Sequence, residues 1–307
     1  MIDLILLNIA TLGIFVILSL SLNLIAGYTG LLSLCHAAFY GVGAYTTAIL
    51  MTKAHFTFLP SLIISGFIAA FFGFLIGLPN LRLRGDYLAI ATLGFSEIVK
   101  NIFLNWDSLT GGPKGISEIP SPSIFGIKFS AYNKFQYLIL IWLFVAITYF
   151  AIKRLTQSRF GRALEAIRED EVATLAMGID VTKYKVFSFI IGAFFAGIAG
   201  SLFSVFIKVV VPNSFDFMLS IIILCMVVLG GMGNNLGAVL GATIIYFASE
   251  LPKIFGISSL IPPQFNQIIF GLILVLMMIY RPQGIIPRKK IDYETNIVKE
   301  MKLRNKK

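Results

Sequence analysis

The chain has 307 residues, 57% of them hydrophobic and 13% charged, with a mean hydropathy of +0.88, which is far too apolar for a soluble domain of this size and marks an integral membrane protein. A formal charge of +10 and a pI near 9.6 would suit a nucleic-acid binder, but the basic residues sit at the ends of apolar runs, where they set topology. No nucleic-acid partner is expected.

Met1-Ile2-Asp3 lacks the positive region of a secretory signal and runs straight into apolar sequence, so the N-terminus is expected to be retained as a span. The 49 residues between Asp3 and Lys53 hold no Asp, Glu, Lys or Arg, enough for two crossings, with Gly27-Tyr28-Thr29-Gly30 as the break. The second crossing, Tyr28 to Met51, is rich in Gly, Ser and Thr, as a helix packed against other helices should be. A third span runs from Leu59 to Leu78 and is ended by Pro79, after which Arg82 and Arg84 form a short basic loop. Asp86 to Leu104 is ambiguous: Glu97, Lys100 and Asn101 interrupt it, so it either lines a cavity or crosses in part. Asn105 to Lys134, with Pro113, Pro120 and Pro122, reads as an outside loop with little regular structure.

Phe135 to Ile152 is the next span and leads to Lys153-Arg154, the basic signal of a cytoplasmic side. From Lys153 to Lys185 there are seven basic residues (Lys153, Arg154, Arg159, Arg162, Arg168, Lys183, Lys185) and five acidic ones (Glu165, Glu169, Asp170, Glu171, Asp180), too many to lie in lipid. Within this polar stretch, Ala163 to Ala176 has good helix formers and no Pro or Gly, bounded by Gly161 and Gly178, which predicts one helix of about four turns. On residues alone it could be a docking element or only a solvated helix that fixes topology. Val186 to Ile207 crosses back. The 33 uncharged residues from Phe217 to Ser249 fit two shortened helices broken at Gly230-Gly231-Met232-Gly233-Asn234-Asn235. Phe265 to Tyr280 is the last span, and the tail from Arg281 holds nine basic and three acidic residues.

The expected fold is an all-α membrane protein: one domain over 1–307, a polytopic bundle of about nine transmembrane helices (eight to ten), some of them broken. It carries a cytoplasmic loop at 153–185 and a basic cytoplasmic tail at 281–307, with the N-terminus outside. Glycine-rich breaks in the first third (Gly27 to Gly43) and the last (Gly230 to Gly241) would suit a transporter of two related halves, though small residues also serve simply to let helices pack.

The chemistry is mostly one of absences. No Gly-Lys pair occurs, so the chain has no phosphate-binding loop and any ATPase must be a separate protein. There is no paired carboxylate set, nucleophile elbow or HExxH, so the chain is not expected to be an enzyme, and no metal or cofactor is expected. Cys35 and Cys225 have no partner at ligand spacing and read as packing residues. The polar candidates for a translocation pathway are Ser33, His36, Tyr45, Thr92, Glu97 and Asn101. His36 could equally be an interhelical hydrogen-bond partner, and Glu97 an i,i+3 partner of Lys100.

The run Gly161-Arg-Ala-Leu-Glu-Ala-Ile-Arg-Glu-Asp-Glu171, followed by Met177-Gly178-Ile179, resembles the cytoplasmic loop of permease subunits in branched-chain amino acid ABC importers. Gly-Tyr-Thr-Gly-Leu-Leu-Ser-Leu-Cys-His-Ala-Ala-Phe (27–39), Leu-Arg-Leu-Arg-Gly-Asp-Tyr-Leu-Ala-Ile (81–90), Asp-Ser-Leu-Thr-Gly-Gly-Pro (107–113) and Arg-Pro-Gln-Gly (281–284) resemble the M-type permease of that family. Cys35 stands where relatives often carry Gly, and Met232 with Asn234-Asn235 departs from the usual Gly-Ser.

The resemblance implies a permease subunit that pairs with a second, related permease, two cytoplasmic ATPases and an extracytoplasmic binding protein, in a bacterial plasma (inner) membrane, multi-pass and surrounded by lipid. The substrate it implies is a branched-chain amino acid, although the family also includes importers of urea and amides. It assigns ATPase coupling to Gly161, Arg162, Ala163, Leu164, Ile167, Arg168, Glu169, Asp170, Glu171 and Gly178, with Leu164, Ile167 and Leu175 packing into the ATPase and Arg168, Glu169, Asp170 and Glu171 setting register by complementary charge. The alternative is an ion-coupled secondary transporter acting without an ATPase, its ion taken by Glu97; a membrane scaffold with a basic tail would explain the charges alone.

Overall fold

A computed structural model describes residues 2–80, 83, 85–124, 127–129 and 134–254, together with 272, 275 and 284–286. Apart from a two-residue hairpin, β1 (Ser123–Ile124) against β2 (Ile127–Lys128), the described chain is helical. Six helical segments among the described residues are long and apolar enough to cross a membrane. The last expected span, 265–280, lies outside the described residues but for Leu272 and Val275, as does the basic loop at Arg82 and Arg84, so the described residues leave the ninefold count untested.

Helix α1 (Ile2–Leu22) continues as one wide π turn, Asn23–Tyr28. The chain then leaves helical geometry at Gly30, whose φ of +75° suits glycine alone among common residues, and runs without regular structure through Cys35. Helix α2 (His36–Thr52) restarts inside the bundle, so the break expected at 27–30 extends five residues further. The non-helical backbone and the open first turn of α2 need partners, and distant side chains supply them: Thr92 Oγ1 accepts from the Leu34 amide at 3.0 Å, and Ser220 Oγ from the Ala37 amide at 3.0 Å.

Helix α3 (Phe58–Asn80) is followed by α4 (Asp86–Asn105), which resolves the ambiguous stretch as a full helix of 20 residues. The loop after it holds a short helix α5 (Asp107–Thr110) and one 3-10 turn (Gly112–Lys114), and is pinned by an antiparallel bridge of Ile116 with Val210. Lys53 at the end of α2 donates to the Leu109 carbonyl at 3.0 Å in the same loop.

Helix α6 (Lys134–Thr156) leads into the polar loop, and α9 (Val181–Ile207) leaves it. At 27 residues α9 is the longest α-helix among the described residues and the centre of the bundle, packed against α1, α2 and α3. Small residues make this possible: a Cβ on Gly43 would lie 2.2 Å from the Gly197 carbonyl oxygen, so α2 and α9 touch backbone to backbone. Helices α10 (Phe217–Gly230) and α11 (Asn235–Ile254) form a hairpin against α1, broken at the expected glycines. The outward faces of α3 and α6 carry Phe67, Phe71, Leu143 and Phe150, the surface a lipid-immersed bundle requires.

Candidate functional site

The polar loop is not one helix. Ser158 caps the first turn of α7 (Arg159–Glu169) by accepting from the Phe160 amide at 3.2 Å. Asp170 then takes an extended conformation, φ −154° and ψ 110°, and its Oδ1 accepts from the Val172 and Ala173 amides at 2.8 and 3.0 Å, which starts α8 (Glu171–Ala176). The continuous helix expected over 163–176 is therefore an elbow. Residues of good helix propensity do not prevent this, because an aspartate offering both amides a partner stabilises a new N-terminus more than one interior residue stabilises continuation. Gly178, at φ +81°, closes α8: its amide donates to the Leu175 carbonyl and the Ile179 amide to that of Thr174, satisfying the last carbonyls.

The two arms face opposite ways. Ala163, Leu164 and Ile167 lie at helical spacing and are buried, Leu164 against Leu24 and Tyr28 at the end of α1, with Phe160 stacked on Tyr184 of α9. A Cβ on Gly161 would lie 1.9 Å from the Thr156 carbonyl oxygen, so this glycine lets α7 fold back onto α6. Leu164 and Ile167, expected to pack into an ATPase, pack instead into the chain's own bundle. Arg162, Glu169 and Asp170 are exposed. On α8 and at its C-cap the large apolar residues point outward: Val172, Leu175 and the cap residue Met177 are 65%, 50% and 82% exposed.

Glu171, expected to set register with a partner, forms an ion pair with Lys185 at 2.8 Å, and the Lys185 side chain is only 6% exposed. This ties α8 to the first turns of α9. Asp180 caps α9 through the Lys183 amide, and the Lys183 side chain and amide together hold its carboxyl below the ordinary carboxylate value.

Arg168, the inner residue at the bend, reaches into the bundle and donates to the Gly27 carbonyl and, at 3.4 Å, to that of Met232. Beside it Asn23, fully buried in the π turn, accepts from the Gly233 amide at 2.9 Å and donates to Asn235 Oδ1 at 3.3 Å. The two glycine-rich breaks thus meet at the end of the bundle where α7 docks. Residues 284–286 are there too: the Ile285 and Ile286 amides donate to the Leu229 and Gly230 carbonyls at 2.9 and 3.1 Å.

The six pathway candidates separate into three groups. Ser33, His36 and Thr92 cluster at the unwound segment and are buried; His36 Nε2 lies 2.7 Å from Ser21 Oγ, and Ser33 Oγ 3.2 Å from Cys35 Sγ. Tyr45 is buried in an aromatic cluster, stacked on Phe103 at 4.3 Å. Glu97 and Asn101 lie instead on the outward side of α4, near exposed Ile90 and Ile98, and the Asn101 side chain donates to the Glu97 carbonyl at 2.8 Å. Among the described residues Glu97 forms no ion pair with Lys100. Ser21, Asn23 and Ser220, which sequence reasoning passed over, join helices here together with Asn235 and Lys185; the available signal was Asn23, one of two asparagines in 49 uncharged residues.

Comparison with known proteins places this geometry. Residues 4–278 match the family model described as branched-chain amino acid transport system, permease component. The chain is 42% identical over 296 residues to the high-affinity branched-chain amino acid transport system permease protein LivM of Salmonella typhimurium, covering 89% of this chain and 68% of the relative. The same identity holds over 303 residues with LivM of Escherichia coli, covering 91% and 69%. It is 28% identical over 309 residues to the permease protein LivH of the Salmonella system, covering 93% and 95%. No solved structure matches the chain significantly. The chain belongs to the family of permease components of branched-chain amino acid transport systems.

Proposed function

We propose that the protein is the transmembrane permease subunit of an ATP-driven importer of branched-chain amino acids, and that its elbow carries the contact with separate ATPase subunits through α8. The observation that carries this is the outward face of α8. Val172, Leu175 and Met177 stand exposed on a helix that its own charged neighbours keep out of lipid, while α7 beside it is anchored in the bundle. Apolar side chains so placed suit a protein groove, in which a few well-buried anchors supply most of the binding energy.

On this reading the elbow end of the bundle is cytoplasmic. Residues 284–286 hydrogen-bond at that end, which supports a cytoplasmic tail, and the N-terminus lies outside. About nine crossings then complete the fold in a bacterial inner membrane. A second related permease, two ATPases and an extracytoplasmic binding protein complete the assembly; the similarity to both LivM and LivH, two permease proteins of one Salmonella system, supports the pairing.

The outward side of α4, where Glu97 and Asn101 stand among Ile90 and Ile98, suits the seam with the second permease. Glu97 and Asn101 would be costly against lipid and are suited to a wet translocation route. An ion-coupled transporter working alone is not favoured, because it leaves the apolar face of α8 in water without a partner.

The test is a Val172→Asp, Leu175→Asp double variant in the purified assembly. It is expected to insert and fold normally, to lose the co-purifying ATPase and to lose ATP-driven leucine uptake in proteoliposomes. In the same assay Glu97→Gln is expected to keep the ATPase and lower uptake. Full ATPase retention by the double variant would overturn the docking assignment.

A further inference from the structure

Two glycine-rich motifs that the docking reading leaves unexplained meet at one side chain. Arg168, on the bundle side of the elbow, donates from one guanidinium nitrogen to the carbonyls of Gly27 and Met232. Gly27 lies in the last turn of the π segment, and Met232 lies in the turn between α10 and α11. The Gly27 carbonyl is thus among the last of its helix, and the Met232 carbonyl lies two residues past the end of α10. A helix end leaves four carbonyls without intrahelical partners and carries a partial negative charge, so one cation between two such ends satisfies both.

The neighbouring carbonyls of α1 are already taken, that of Leu24 by Thr29 Oγ1 at 3.0 Å and that of Ile25 by the Leu31 amide at 3.1 Å, while the Gly27 carbonyl takes Arg168. At the end of α10 the Leu229 and Gly230 carbonyls take the Ile285 and Ile286 amides. The space is cut to fit the arginine as well: a Cβ on Gly30 would lie 2.9 Å from Arg168 Cγ. Behind the guanidinium, Asn23 joins α1 to the same turn through Gly233 and Asn235. The ends of α1 and of the α10–α11 hairpin are thus one polar body, and Arg168 is where the elbow holds it.

We propose that Arg168 is the positioning residue that passes movement of the elbow into the membrane bundle. When α8 is displaced by its ATPase, α7 turns with it, and Arg168 carries the ends of α1 and α10 along. Because α1 leads into the unwound segment before α2, that displacement reaches the middle of the membrane at Leu34 and Ala37. The proposal rests on the ATPase reading above, and it concerns transmission and not docking.

The test compares wild type with Arg168→Gln in the full assembly in proteoliposomes, reading ATP hydrolysis and leucine taken up per ATP, and in the permease alone in nanodiscs, reading the distance between spin labels at Ala173→Cys and Leu236→Cys. Both label sites are exposed, and the native Cys35 and Cys225 are buried. Hydrolysis is expected to stay within about twofold while uptake per ATP falls roughly ten- to hundredfold, the worth of a charge-assisted hydrogen bond. The label distance, narrow in wild type, is expected to broaden. Unchanged uptake per ATP, a proportional fall of hydrolysis and uptake, or an unchanged label distance each overturns the proposal. Should the glutamine variant not assemble, Arg168→Lys, which keeps the cation but not the planar fork, is measured in the same way against the same criteria, with a smaller loss expected. A wild-type assembly without ATP-driven uptake would instead sink the ATPase reading, and the label distance, which needs no ATPase, then decides whether Arg168 holds the elbow.

Discussion

Helices α7 and α8 adjoin across one residue, share a polar loop, and use their apolar side chains in opposite ways. Those of α7 close the end of the bundle, with Leu164 fully buried against Leu24 and Tyr28, whereas those of α8 face out, with Met177 82% exposed. The turn at Asp170 is what separates them. An element that couples two proteins needs one end that cannot move relative to its own bundle and another that can be gripped, and a straight helix offers one apolar stripe for both tasks. A bend with two stripes serves both. The polar contacts divide along the same line: Arg168 turns inward from α7, while Glu171 returns from α8 to Lys185 and limits how far the second arm can swing.

The comparison breaks most readily at Leu164. Leu164→Ala should cost the permease about 2–5 kcal/mol, the usual range for a buried leucine, whereas Leu175→Ala, at 50% exposure, should leave the stability of the permease within about 0.5 kcal/mol. Thermal unfolding of the detergent-solubilised permease would show a lowered midpoint for the first variant only; equal midpoints would put both leucines on one kind of surface.

A smaller effect is expected at the second arm. Glu171→Gln leaves the Lys185 ammonium without its carboxylate, but Glu171 is 23% exposed and water can reach the gap, so the loss should be about 1–2 kcal/mol and not that of a fully buried pair. Its signature is specific. Proteolysis or amide exchange should rise at α8 and stay unchanged at α7, and a rise spread over both arms would mean that the two are not independently anchored.

Much of the bundle is legible in the sequence, because charge and glycine mark the ends of lipid-immersed helices and these cost too much to place elsewhere. The breaks at Gly27-Tyr28-Thr29-Gly30 and at Gly230 to Asn235 fall where glycine clusters, and the polar loop falls where charge does. What hides is what depends on distant partners. The unwound stretch before His36 and the first turn of α2 take hydrogen bonds from Thr92 and Ser220, 58 and 183 residues away, and no local pattern announces them. The apolar stripe of α7 is visible as periodicity, yet periodicity says only that a surface is covered and not by what. The bend at Asp170 is masked by good helix formers on both sides. The cost of Glu97 and Asn101 in lipid points to a route; the outward side of α4 on which they lie depends on packing, which sequence alone does not fix.

The division of labour between the arms is tested most directly by site-specific cross-linking in the assembled transporter, with a cysteine placed in turn at Ala163, Leu164 and Ile167 of α7 and at Val172, Leu175 and Met177 of α8. The account predicts that the α8 cysteines cross-link to the ATPase in a manner that changes with nucleotide, and that the α7 cysteines do so in no nucleotide state. Efficient cross-linking from position 164 or 167 to the ATPase, with none from α8, would contradict it.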